Sequence, residues 1–104
     1  MRRAIVFVHG KKAGILTEMT ANDYHFEYDE NYKGEAVSLT MPTSQQKYNY
    51  TLFPPFFEGL LPEGVMLEGL LRIVKIDKKD YFSQLIATGN DLVGAVTVKF
   101  MEDE

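Results

Sequence analysis

The amino-acid sequence predicts an α+β fold, a mostly antiparallel β-sheet with helices packed on one face. Three observations lead to it. Short apolar or alternating runs, separated by turn residues, fill the chain up to Pro42. Apolar residues at helical spacing occupy the stretch from Pro54 to Gly89. A last alternating run over residues 94–100 follows the helices, so the order is strands, helices, closing strand.

Residues 4–8 are apolar at consecutive positions, the pattern of a strand covered on both sides. Residues 9–14, HGKKAG, read as a turn with two glycines, from which residues 15–19 return as the second strand of a hairpin. Tyr24, Phe26 and Tyr28 alternate with His25, Glu27 and Asp29, which predicts a half-buried third strand. Val37, Leu39 and Met41 alternate with Ser38 and Thr40, which predicts a fourth strand stopped by Pro42. Residues 43–51 are polar and read as a loop. Pro54 and Pro55 open a short helix running through Leu60. After Pro62, the residues Met66, Leu67, Leu70, Leu71 and Val74 form a helical stripe expected to be buried, with Leu70 at its middle. A third helix is predicted with Asp77 as its cap, Tyr81, Phe82, Leu85 and Ile86 as its inner stripe and Gly89 as its end.

With 104 residues the chain is expected to form a single domain, residues 1–104, large enough to bury a core without staples. It has no cysteine, which excludes a disulfide framework, a thiol nucleophile and a cysteine-ligated metal. No apolar run approaches the ~18 residues of a membrane span. Met1, Arg2 and Arg3 are followed by only about five apolar residues, too few for a signal peptide. The expectation is a cytoplasmic protein with no membrane partner. A net charge of −4 argues against direct nucleic-acid binding, which needs a basic face to neutralise phosphates.

Catalytic patterns are weak throughout. His25, Glu27 and Asp29 share one strand face, but strand geometry separates neighbours on a face by roughly 7 Å, too far for one metal ion without help. His9 lies in a turn beside lysines, with no acid near it in sequence to orient it as a base. There is no glycine-rich phosphate loop, no serine nucleophile pattern and no zinc spacing. The chain is therefore read as no enzyme, with no cofactor and no metal. The aromatic residues fall in buried alternation or helical stripes, with no basic groove that would make them stacking platforms.

One stretch breaks its own pattern. FFEGLLPEGVMLEGLL, residues 56–71, promises a single long helix, but Pro62 and Gly64 forbid one. Pro62 at a first helical position, with Glu63 in the first turn, describes an ordinary helix-helix corner. Val65 and Met66 follow it at once, and not all of Val65, Met66 and Leu67 can face inward together. At least one apolar side chain is thus expected outward on a stiff helix start, where it can anchor a partner.

Over nearly its whole length the chain resembles the N-terminal subdomain of the HipA-like serine/threonine kinase toxins. VFVHGKKAGIL, AVSLTMP, FFEGLLPEG and GNDLVGAV carry the resemblance. In the full-length toxins this subdomain runs on into the residues of the kinase site, whereas this sequence ends at Glu104, after the last shared strand. In that respect it is similar to the HipS-like antitoxins of tripartite HipBST systems. That resemblance implies an inhibitory partner of a HipT-like kinase toxin, with a HipB-like helix-turn-helix protein completing a ternary complex. It also turns the corner, Pro62, Glu63, Gly64, Val65 and Met66, into the expected partner-binding tip. Related sequences often carry tryptophan after the corner, where this chain has Val65. The alternative is a non-inhibitory subunit that completes and stabilises a split HipA-like kinase.

Overall fold

The computed structural model of the chain describes residues 1–92 and 94–101. Five strands, β1 (Arg2–Val8), β2 (Lys11–Thr20), β3 (Asp23–Tyr28), β4 (Lys47–Tyr50) and β5 (Val96–Met101), form one sheet in the order β4-β3-β2-β1-β5. Every neighbouring pair is antiparallel. Helices α1 (Pro55–Glu58), α2 (Gly64–Ile73) and α3 (Tyr81–Thr88) lie between β4 and β5 in sequence. The predicted fold class is the observed one.

The alternation of the strands sets the core. Ala4, Val6 and Val8 of β1, Leu16 of β2, Tyr24, Phe26 and Tyr28 of β3, and Val96 and Val98 of β5 are buried on one face of the sheet. Phe57 of α1 and Phe82 and Leu85 of α3 close over them. Among the described residues the opposite face carries no helix. Ile5, Phe7 and Ile15 there are half-buried, so the consecutive apolar run of β1 does not mark a strand covered on both sides.

The first hairpin is tighter than expected. Val8 pairs with Lys11, and His9 and Gly10, with φ of 51° and 78°, make the two-residue turn that matches strand twist. His9 Nε2 lies 3.2 Å from Glu35, an acid far away in sequence, but both side chains stand largely in solvent.

The fourth strand is Lys47–Tyr50, within the stretch read as a loop, and residues 37–41 form no strand. Tyr28 explains why residues 37–41 do not form one. Its hydroxyl accepts a hydrogen bond from the Val37 backbone N–H at 2.8 Å and donates to the Met41 carbonyl. Val37 and Met41 are thereby fixed as buried plugs of an irregular loop, while Leu39 between them is 100% exposed. Lys47–Tyr50 escapes the pattern because it is an edge strand, where polar residues and lysine discourage further pairing. The outward carbonyl of Lys47 accepts a hydrogen bond from the Gln45 side chain at 2.7 Å.

Helix α1 is shorter than predicted and continues only as single turns to Leu61. The cap of α3 is Asp80, which accepts from Ser83 N–H at 3.1 Å; Asp77 instead accepts from Lys79 N–H in the turn before it. Gly89 ends α3, as expected, but with an ordinary φ of −53°. Its lack of a side chain matters for another reason: a Cβ there would run into the Val98 carbonyl. Gly89 and Val98 are joined by a backbone hydrogen bond of 3.0 Å, so the end of α3 covers the middle of the outer edge of β5.

Candidate functional site

The corner after α1 is built on two buried anchors, Phe57 and Leu61. Pro62 follows half-buried, Glu63 is extended (φ −129°, ψ 162°), and Gly64 takes a φ of +58°. That left-handed value favours glycine, and a proline before an extended residue stiffens the approach. The helix therefore starts at Gly64, and Pro62 stands outside it rather than at a first helical position. Glu63 is the cap residue, yet its carboxylate makes no capping hydrogen bond and stays exposed.

Helix α2 departs most from expectation. Its apolar stripe is present, but no side chain of α2 is fully buried. Leu67, Leu70 and Leu71 are half-buried, and Val74 is 38% exposed. Val65 and Met66 are 84% and 76% exposed, and Ile73 is 85% exposed. Val65, Gly69 and Ile73 succeed one another at intervals of four, which puts them on one side of the helix. A Cβ at Gly69 would meet nothing, so this outer side is an apolar strip with a dip at its centre. The spacing of Val65, Gly69 and Ile73 was visible in the sequence but was hidden behind the stronger leucine stripe.

On the other side of the tip lies a groove of about 670 Å³. Leu60, Leu61 and Pro62 form one end, Met66 and Leu70 of α2 one wall, and Thr88, Asp91 and Leu92 the wall beyond α3. Glu63 and Asp91 line it too, and no lysine or arginine does among the described residues.

The remaining polar candidates do not converge. His25 pairs with Asp23 at 2.9 Å, Glu27 lies 3.9 Å from Lys47, and Asp29 3.8 Å from Lys12. Among the described residues no group of three or more histidines and acids is placed to hold a metal ion. No helix is long and apolar enough to cross a membrane among the described residues.

A family model described as the HipA N-terminal domain matches residues 4–99. An uncharacterised protein of Haemophilus influenzae is 31% identical over 99 residues, covering 95% of this chain and 92% of that protein. The putative kinase Y4dM of Sinorhizobium fredii is 32% identical over 104 residues, taking in 89% of this chain but 25% of the kinase. This chain thus spans about a quarter of that relative. Among solved structures, an N-terminal domain of HipA toxin superposes with a TM-score of 0.78 at 28% identity, covering 100% of this chain and 96% of that one. The shared sheet, the shared helices and a match over almost all of the sequence lead to one statement: this chain belongs to the HipA N-terminal domain family.

Proposed function

We propose that this protein is a HipS-like antitoxin that binds and restrains a HipA- or HipT-like serine/threonine kinase toxin in the cytoplasm. The observation that carries the reading is α2, an amphipathic helix with no fully buried side chain, whose exposed Val65, Met66 and Ile73 adjoin a stiff corner. Such a helix gains little from its own domain, and apolar anchors held on a rigid element are what a partner surface takes up. Pro62, Glu63, Gly64, Val65 and Met66 form the docking tip, at or near the active-site cleft of the kinase. Restraint needs no chemistry from this chain. Phosphoryl transfer depends on holding nucleotide, metal and acceptor together, and a wedge that prevents this alignment is sufficient. A HipB-like helix-turn-helix protein is the third member of the proposed complex.

A second reading is favoured by one observation, the match to part of a putative kinase. In that protein the same domain coexists with the rest of the chain, so here it would complete a split kinase without silencing it. A phosphorylation assay of the kinase, with and without this protein, separates the two. Restraint predicts loss of phosphorylation at stoichiometric addition, and completion predicts gain.

A further inference from the structure

The groove behind the tip has a chemistry of its own. Its floor and walls are apolar, from Leu60, Leu61, Pro62, Met66, Leu70 and Leu92, while its charged lining is acidic, Glu63 and Asp91. An apolar trough with carboxylates along it is complementary to an apolar strip flanked by basic side chains.

The walls also select the shape of the occupant. One wall is α2, whose backbone groups beyond its first and last turns are engaged within the helix, and the other is the end of α3 and the turn after it. In that turn the Asp91 N–H already bonds the Thr88 carbonyl at 2.8 Å. No strand residue lines the groove among the described residues, and on the outer edge of β5 the outward N–H of Val98 is already taken by the Gly89 carbonyl at 3.0 Å. An extended segment would find no ladder there for its own N–H and C=O groups, whereas a helix satisfies its backbone internally.

We propose that this groove receives an amphipathic helix of a partner protein, with leucine-like side chains seated between α2 and the end of α3 and lysine or arginine side chains meeting Glu63 and Asp91. The inference rests on the reading of this chain as a binding module, and not on the inhibition of a kinase. The outer strip of α2, Val65, Gly69 and Ile73, remains free for a second contact when the groove is filled.

The test uses the whole protein, labelled for nitrogen–proton correlation spectra, and two synthetic helical peptides of about 15 residues, long enough to form helix. Both carry the same leucine face; one has lysine flanks and the other glutamate flanks. The lysine peptide is expected to bind at least about tenfold tighter, with shifts centred on Leu60, Leu70, Thr88 and Leu92. A Glu63→Gln/Asp91→Asn double variant, changed only at exposed carboxylates, is expected to narrow that ratio to about threefold or less while keeping the shift pattern. Equal binding of the two peptides, no binding by either, or shifts on the open face of the sheet around Ile5 and Ile15 overturns the proposal. So does a concentration-dependent shift of the groove residues without peptide, which would make a second copy of this chain the occupant. A protein that binds the lysine peptide but leaves the kinase active keeps this inference and loses the antitoxin reading; the reverse loses this inference alone.

Discussion

Arg2 shows how single side chains tie the layers together. Its guanidinium donates to Glu18 of β2 at 2.7 Å, to Asp80 at the start of α3 at 2.9 Å and to Ser83 at 2.7 Å, and lies 4.9 Å from the Phe82 ring centre. The hydrogen bond to Glu18, against the cost of burial, raises the guanidinium above its ordinary value. Burial pushes the Asp80 carboxyl up, but the hydrogen bonds from Arg2 and Ser83 outweigh it and hold Asp80 below the usual carboxylate range. A depressed carboxyl stabilises the fold above its unfolded value, about 3.9, and that stability is lost as pH falls through the lower folded value. Acid denaturation should therefore steepen below about pH 4, and an Asp80→Asn variant should show a flatter stability profile there. Urea midpoints across pH 2 to 7, compared between parent and variant, check it. Tyr28 is the counterpart at the loop end. Tyr28→Phe removes the acceptor of Val37 N–H and the donor to Met41, and should cost about 1–3 kcal/mol because a buried N–H loses its partner.

The elements divide into those that their own residues specify and those that their neighbours specify. β3, α3 and β5 were legible because burial on one face imposes a period of two or 3.6 on the apolar residues, whereas β1 was legible as a strand from its consecutive apolar run but misread as covered on both faces. Strand β4 was not legible, since an edge strand is held by pairing with β3 and not by an apolar face of its own. Residues 37–41 misled for the converse reason: Val37 and Met41 are buried by the Tyr28 hydroxyl, a contact that no local period encodes. For α3, Asp77 and Asp80 both suit a cap, and the choice is made by Ser83 and by Arg2 from the far end of the chain. The tip was legible as a corner, because Pro62 and Gly64 declare it, but its groove was not, since Leu92 and Asp91 arrive from beyond α3. Helix α2 was legible as a helix and misread in its burial, since an amphipathic stripe is the same whether its partner is this domain or another protein. Two outcomes follow for α2. Its amides should exchange with solvent faster than those of β1 and β2, because few buried contacts hold it down; hydrogen exchange by mass spectrometry reads this directly. Leu70→Asp should leave the domain folded, because Leu70 is half-buried at a groove. Leu85→Asp should unfold it, since Leu85 is 0% exposed and a buried unpaired carboxylate costs several kcal/mol of the ~5–15 kcal/mol that holds a domain together. Thermal melts of the pair decide it.

At the scale of the whole molecule, stability and the proposed contact are kept apart. The sheet, α1 and α3 hold the core, while the tip and outer strip of α2 carry exposed apolar side chains that the core does not use. Substitutions at the tip should therefore change partner affinity with little change in melting temperature. Val65 and Met66, at 84% and 76% exposure, have little packing to lose within the domain. If the tip seats in a kinase cleft, a Val65→Asp/Met66→Asp double variant places two carboxylates where apolar anchors should be desolvated. The expected loss is about 1–3 kcal/mol or more of binding, roughly ten- to a hundredfold in affinity. Val65→Trp should act in the opposite sense, because the larger ring adds buried area at the partner without displacing anything in this chain. Co-expression of the kinase with the parent, the double variant and Val65→Trp, scored by growth rescue beside a pull-down, checks the series. The expected order of rescue is Val65→Trp, then the parent, then the double variant. A folded double variant that rescues growth as well as the parent would make residues 62–66 a structural corner only, and would move the restraining contact to another face of the domain.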